Sequence, residues 1–354
     1  MIHGGRSVIR QSGFSHRRDP VLVWLVTCCV IIFAMVVLGG VTRLTESGLS
    51  MVDWHPVMGI LPPLDEQAWQ AAFAEYQQFP EYQKVNLGMT LEAFKGIYWM
   101  EYAHRMLGRV IGVVFFVPYV YFLVTGRLAA LLAVRLAIVF LLGALQGLLG
   151  WYMVKSGLLS DPDVSPYRLT AHLGLAVAIY AVLLWLALGR ASRPHAFASG
   201  LAPASLRRLA VVVAGLVFLT VLSGGFVAGN DAGLAYNSFP LMDGRLVPRD
   251  YLLIEPAWRN IFENVPAVQF DHRVLAVVTV FLVLLLWGLS FRHLLEAGAR
   301  SALNSLAIAV LAQFGLGIAT LLAFVPVSVG ALHQAGALLL LSAAIWVNRV
   351  LRPL

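Results

Sequence analysis

Residues 20–42 read PVLVWLVTCCVIIFAMVVLGGVT, a run without a charged side chain. A helix crosses about 30 Å of hydrocarbon with roughly 20 such residues, so this stretch predicts a membrane span. Uncharged runs of similar length recur at 136–154, 169–189 and 209–230. The runs at 110–126 and 274–291 are shorter, but both extend upstream through amphipathic turns that hold His104 and His272. The last uncharged stretch, 301–348, is too long for one crossing, and Pro326, Ser328 and Gly330 divide it in two. Eight transmembrane helices follow.

Composition agrees with that reading and excludes an ordinary soluble surface: 60% of residues are hydrophobic and 12% charged, with a mean hydropathy of +0.81. With the N-terminus inside, the inner segments carry Arg6, Arg10, Arg17, Arg18, Arg127, Arg135, Arg190, Arg193, Arg207, Arg208, Arg292, Arg300, Arg349 and Arg352, against Asp19 and Glu296 as the acids. The positive-inside rule therefore places both termini in the cytoplasm. The formal charge of +7 is membrane topology and gives no reason to expect a nucleic-acid partner. The first hydrophobic run exceeds a signal-peptide core and follows a long basic tail, so it is expected to be a retained helix. Cys28 and Cys29 are neighbours inside it and read as small packing residues, since a bridge between adjacent cysteines is strained.

The chain repeats itself. Gly39-Gly40 followed by Ser47-Gly48-Leu49 recurs as Gly224-Gly225 followed by Ala232-Gly233-Leu234; His104-Arg105 recurs as His272-Arg273; Gln146 and Gly150 recur as Gln313 and Gly317; His172 recurs as His333. The expected architecture is an all-α integral membrane protein made of two tandem, pseudo-symmetric four-helix bundles. Each half has an even number of crossings, so the halves share one orientation about an axis along the membrane normal. The expected domain limits are a cytoplasmic basic tail at 1–19, an N-terminal half at 20–190, a linker at 191–208, a C-terminal half at 209–350 and a short tail at 351–354.

Imidazole is a haem ligand and a costly group to place in lipid. His104, His172, His272 and His333 each fall in an even-numbered helix at similar depth near the outer face, which predicts two haem sites, one per half. Interhelical hydrogen bonding is the competing role. His3, His16, His55, His195 and His293 fall in tails, turns or loop borders and read as solvated or interfacial. Gly108, Ala176, Ala276 and Ala337 follow the four helical histidines by one turn, where they admit either a flat macrocycle or a closely packed helix. Gln146 and Gln313 suit a bond to a neighbouring helix.

The halves differ at one position. Glu101 lies three residues before His104, about one turn away on the same face, whereas the second half has Gln269 there. A carboxylate at that place either serves the positive end of a helix or acts as a proton acceptor or electrostatic group beside a reacting substrate. Arg105, Arg109 and Arg273 lie where guanidinium groups can neutralise haem propionates or snorkel to headgroups. Residues 65–76 place Trp69, Ala72, Phe73 and Tyr76 on one face of a short helix, which lies either on the membrane, the favoured place, or against the bundle.

The segments GGVTRLTESGLSMVDWHPVMGILPP (39–63), MEYAHRMLGRVIG (100–112), TAHLGLA (170–176), FVAGNDAGLAYNSFPLM (226–242), FENVPAVQFDHRVL (262–275) and LHQAGALLLL (332–341) resemble the haem A synthase family over nearly the whole chain. The chain looks like the mitochondrial and alphaproteobacterial branch, because it lacks the external-loop cysteine pairs of another branch. The resemblance implies an oxidoreductase that converts the C8 methyl of haem O to the formyl group of haem A through a hydroxymethyl intermediate. It implies His104 and His172 at the iron of the substrate haem O, with Arg105 beside them and Glu101 as the catalytic carboxylate. It also implies His272 and His333 as axial ligands of a resident haem b, with Arg273 beside them and the haem b as electron relay. Haem O synthase and an electron-transfer protein are implied partners, the inner membrane is the implied location, and self-association stays open. The function classes that compete are a membrane diheme cytochrome that leaves its pigment unaltered and a transporter that uses intramembrane histidines as proton sites.

The arginine distribution has a direct test. Reporter fusions after Arg190 and Leu354 should register the cytoplasmic side, and fusions near Asp65 and Asp243 the outer side. Reversal at either pair would invert the placement of the histidines.

Overall fold

The structure, a computed structural model, describes residues 19–52, 61–158, 164–191 and 202–352. His3, His16, His55 and His195, Arg6, Arg10, Arg17, Arg18 and Arg193, and most of the 1–19 and 191–208 segments lie outside the described residues. Among those described, eight helices are long and apolar enough to cross a membrane: α1 (Pro20–Leu44), α4 (Leu91–Val124), α5 (Ala130–Gly157), α6 (Pro166–Ala191), α7 (Ala204–Gly229), α9 (Val265–Ser290), α10 (Ala297–Leu322) and α11 (Val327–Val350). Shorter helices α2 (Glu66–Tyr76), α3 (Pro80–Lys84) and α8 (Asn260–Glu263) lie between them in the chain. The chain is thus an all-α integral membrane protein.

Local chemistry sets the ends. Asp19 caps α1 by accepting from Val21 N at 3.0 Å, with Pro20 in the first turn. Asp65 caps α2 through Ala68 N at 2.7 Å, and Thr90 caps α4. Phe324 and Val325 at positive φ, followed by Pro326, separate α10 from α11 within the long uncharged stretch. Several helices run past the charge-free segments: Arg135, Arg207, Arg208, Arg300 and Arg349 are helical. A helix can continue through such residues because the arginine stem stays in the apolar layer while its head finds a partner. Arg300, for example, donates to Ser290 Oγ at 2.6 Å and lies over the Phe291 ring.

Two apolar cores form, one mainly from α1, α4, α5 and α6, the other mainly from α7, α9, α10 and α11. Each borrows one buried residue from across the molecule. Leu338 of α11 completes the first core and Val177 of α6 the second, and both stand five residues after the repeated histidine of their helix. The inner four helices α1, α6, α7 and α11 carry the join. Gln334 Nε2 of α11 donates to Val36 O of α1 at 2.9 Å, Tyr180 of α6 bonds Ser342 of α11 at 2.8 Å, and Arg43 of α1 pairs with Asp231, just beyond α7, at 2.8 Å. Within the halves, Arg190 pairs with Asp19 and Asn348 of α11 donates to Ala210 O of α7 at 2.8 Å.

The 34 residues of α4 amount to about 51 Å of helix, well beyond the hydrocarbon thickness. Its outer turns stand clear and become the seat of α2. Trp69 meets Tyr98 edge-on at 4.9 Å, and Tyr76 meets Phe94 at 5.1 Å. The short helix is therefore packed on the bundle, one of the two places open to its apolar face. Its aromatic face found protein to bury against, which leaves Tyr76 wholly inaccessible and Trp69 buried. Cys28 and Cys29 are buried free thiols in the first core, as packing residues should be.

The seam between halves is tight at Gly40, where an added Cβ would lie 1.5 Å from Gln334 Oε1. Gly40→Val should destabilise the protein by about 1–3 kcal/mol, the usual scale of overpacking, read as a lower thermal midpoint in detergent. Gly96→Ala, with nothing within 4 Å of its Cβ, is the control and should stay within about 0.5 kcal/mol of the parent.

Candidate haem sites

The four repeated histidines stand about two turns into α6, α9 and α11 and about four turns into the longer α4. Each half-buried imidazole lies against a glycine of a neighbouring helix. A Cβ placed on that glycine would approach ring Cε1 to 3.0 Å for Gly39 and His104, 2.9 Å for Gly150 and His172, 3.3 Å for Gly224 and His272, and 2.8 Å for Gly317 and His333. Any larger residue would push the ring aside. In the sequence these glycines stand out only as marks of the repeat, and nothing there assigns them a histidine; the interhelical pairing is what reveals it. Gly108, by contrast, faces Met35 of α1 at an ordinary contact distance, which favours helix packing at that position.

His104 and His172 are close enough to feel each other's charge, as are His272 and His333. The structure thus brings the four together as two pairs, one in each half. No cluster of three or more His, Cys, Asp or Glu side chains able to hold a metal occurs among the described residues. Two imidazoles on facing helices are the donor set for a haem iron, whose remaining ligands are the macrocycle's own.

The pairs are held differently. Ser223 Oγ bonds His272 Nδ1 at 2.7 Å, and Gln313 Nε2 reaches His333 Nδ1 at 3.1 Å and His333 O at 2.9 Å. With Nδ1–H donating to the Ser223 hydroxyl, Nε2 of His272 remains as the ring nitrogen for a metal; the Gln313 amide N–H can meet only an unprotonated His333 Nδ1, so its firm hold on His333 is the bond to the backbone oxygen. In the first half Gln146 reaches only the backbone, His172 O at 3.0 Å, and Leu38 stands where the repeat has Ser223. Nδ1 of His104 and of His172 is buried without a hydrogen-bond partner. Ser223 is a site residue that sequence reasoning missed, because a serine beside a diglycine carries no signal by itself.

One turn outward, each half ties its outer loop to the histidine helix by the same device. Glu101, 2% exposed, accepts on Oε2 from Ser50 Oγ at 2.7 Å and Met51 N at 2.8 Å, and on Oε1 from Arg105 Nε at 2.9 Å and Nη2 at 2.6 Å. Arg105 Nη2 also donates to Met51 O at 2.7 Å. In the second half Gln269 donates to Ala232 O at 2.7 Å and accepts from Arg273 at 3.0 Å, while Arg273 donates to Tyr236 O at 2.7 Å and Ser238 O at 2.8 Å. Met51 and Tyr236 are equivalent in the repeat. Arg105 and Arg273 each grip the backbone of a loop beside the histidine helix. Arg109 sits one turn further along α4, half-buried.

Residues 22–345 match the model of the COX15-CtaA family, described as cytochrome oxidase assembly protein. The chain belongs to this haem A synthase family. It is 53% identical over 335 residues to haem A synthase of Nitrosospira multiformis, covering 95% of this chain and 94% of the relative. It is 48% identical over 349 residues to that of Paramagnetospirillum magneticum, covering 97% and 95%. It is also 48% identical over 335 residues to human haem A synthase COX15, covering 93% and 82%. The family is one of enzymes of haem A biosynthesis, and both histidine pairs lie inside the matched region.

The unequal fixing of the pairs is open to measurement. Ser223→Ala frees Nδ1 of His272 and should weaken haem retention by the C-terminal pair roughly 10- to 100-fold, the scale for loss of a bond that orients a ligand, leaving the N-terminal pair unaffected. Identical pigment content and spectra in parent and variant would show that the hydroxyl fixes nothing.

Proposed function

We propose that this chain oxidises the C8 methyl of haem O to the formyl group of haem A, with His104 and His172 presenting the substrate and His272 and His333 holding a resident haem b. The observation that carries this division is the difference in imidazole fixing between two otherwise repeated pairs. A ring whose Nδ1–H is held by a fixed hydroxyl, as that of His272 is by Ser223, suits a permanent ligand. Rings without that anchor suit a haem that must enter, react and leave. Haem b at the C-terminal pair supplies a one-electron carrier for the substrate's oxidation.

Glu101 supports the same assignment. Gln269 grips its loop without a charge, so gripping a loop does not require a carboxylate. The negative charge one turn from His104 is then available to stabilise positive charge that develops at the reacting carbon and to take part in moving protons as the methyl passes through the hydroxymethyl stage to a hydrated aldehyde. The two hydrogen bonds and the Arg105 pair hold it in place, which is preorganisation of the kind electrostatic catalysis needs. Arg105 and Arg273 bring positive charge to the outer rim, where haem propionates would lie.

The inner membrane, with both termini cytoplasmic and the haem sites toward the outer face, is the location this reading requires. A haem O synthase delivering substrate and an electron-transfer protein removing electrons are the partners it calls for.

One set of variants tests it, with haem O, hydroxymethyl haem and haem A separated by chromatography after extraction. His272→Ala and His333→Ala should deplete haem b, whereas His104→Ala and His172→Ala should impair handling of haem O. Glu101→Gln should keep haem b, since Gln269 fills that position in the other half, while haem A formation falls by roughly 10²-fold or more. Near-normal haem A in Glu101→Gln at matched haem b content would remove the carboxylate from the chemistry. Equal loss of both pigments in all four histidine variants would end the division of roles.

A further inference from the structure

Phe140 of α5 packs against Phe115 and Phe116 of α4, with ring centroids 6.2 and 5.1 Å apart, and so marks the side of α5 that faces α4. Ala144, Gly147 and Trp151 follow it at the four-, seven- and eleven-residue spacing that continues one side of a helix. With Leu148 they line an open, apolar groove of about 470 Å³. The groove extends about 10 Å along α5, from the level of Gly150, which seats His172, toward the middle of this membrane-crossing helix. A Cβ added at Gly143 or Gly147 would meet nothing within 4 Å among the described residues.

The repeat fills the same place in the other half. Gly143 corresponds to Val310, which is buried in the second core, Ala144 to Leu311 and Gly147 to Phe314. The Phe314 ring meets Phe239, from the loop after α7, edge-on at 6.0 Å. The first half carries its bulk one position later, at Leu148 where the second half has Gly315, and thus about 100° further round the helix. One copy of the scaffold has this side of its third crossing clear, and the other has it occupied. Helix pairing requires neither state, since both copies seat their histidines on glycines in the same way.

Haem O differs from haem b in carrying a hydroxyethylfarnesyl chain where haem b has a vinyl group. We propose that the groove at Ala144, Gly147, Leu148 and Trp151 receives that chain, and that Gly147 and Ala144 suit the N-terminal pair to a tailed haem, as Phe314 and Leu311 suit the C-terminal pair to a haem without one. The inference rests on the reading of His104 and His172 as the substrate pair and adds where the substrate's tail lies. A macrocycle held between α4 and α6 has α5 at its edge, because Gly150 of α5 is what His172 rests on. In lipid an apolar chain gains little by moving onto an apolar wall. The groove therefore acts by giving room: a tail leaving the bundle between α4 and α5 is admitted where that side is clear, and the same tail clashes where Phe314 fills it.

The test uses the full-length protein carrying haem b, incubated with haem O or with mesohaem, which has the propionates but no tail. Retained pigments are extracted and separated by chromatography. Gly147→Phe should weaken retention of haem O roughly 10- to 100-fold, the scale of overpacking a filled site, with mesohaem retention unchanged and haem b content, which reports folding, also unchanged. Undiminished haem O retention, the result expected if a lipid chain or a second copy of this chain occupies the groove, overturns the proposal. An equal loss of haem O and mesohaem overturns it too, since the macrocycle and not the tail would then be blocked. If Gly147→Phe loses haem b, Ala144→Leu installs the residue of the other half in the same groove and is judged by the same outcomes. Haem O retention that survives His104→Ala and is lost in His272→Ala would overturn the reading of the pairs, a failure told apart from that of the groove because both variants leave Gly147 in place.

Discussion

The approach of an imidazole ring to a glycine on the adjacent helix is the contact from which the rest of the molecule is arranged. Helices in lipid gain little from burying apolar surface, since the lipid is as apolar as the partner, so close packing decides which helices pair. Glycine at 39, 150, 224 and 317 lets the ring-bearing helix come near and fixes the direction from which each ring is supported. The glycine beside it does a second job. A Cβ at Gly40 would meet Gln334 of α11, and a Cβ at Gly225 would meet Thr170 and Leu173 of α6, in each case across the seam between halves. One residue of each diglycine seats the ring while the next seats the other half, so the haem-site geometry and the pairing of the halves are set by the same short stretch of helix.

The outer loops follow from this frame. A histidine helix that starts outside the membrane exposes its first turns, and the side chain one turn before the histidine can reach the loop leaving the preceding helix. Glu101 with Arg105, and Gln269 with Arg273, take that position and bind the backbone at Met51 and Tyr236. A buried ion pair often contributes no more to folding than a neutral pair of the same shape. The neutral version in the second half shows that this fold accepts either. Retention of a charge in the first half therefore asks for a reason beyond folding.

Much of this was legible in the sequence because membrane length, arginine asymmetry and a repeated histidine pattern are strong signals that survive without tertiary information. Pro326 divided the last uncharged stretch as expected, and the carboxylate-for-amide difference between Glu101 and Gln269 was visible in the alignment of the halves. What escaped were contacts made across space by residues with no distinctive local pattern. Ser223 is an ordinary helical serine until α9 brings His272 to it. Glu81 carries no distinctive local pattern, yet the fold buries it. The sequence left two places for the apolar face of α2, and the fold seats it on α4: amphipathicity says that a face will be buried and leaves open what buries it.

The two halves divide rigidity and charge in opposite ways. The C-terminal half fixes its histidines through Ser223 and Gln313 and grips its loop with the amide of Gln269, a combination that holds a ligand firmly and changes little when protons come and go. The N-terminal half leaves Nδ1 of both imidazoles without a partner and places its strongest hydrogen-bonding instead at Glu101. Under the proposed reading that is the distribution a working site needs: loose where the substrate must be exchanged, and rigid where charge must already be in place when the methyl group reacts, because a dipole or carboxylate that has to reorient during the step loses much of its stabilising effect. Duplication supplied one scaffold twice. Divergence then acted on side chains that the scaffold does not need for folding, and so could make one copy retentive and the other reactive without altering the helix pairing that supports both.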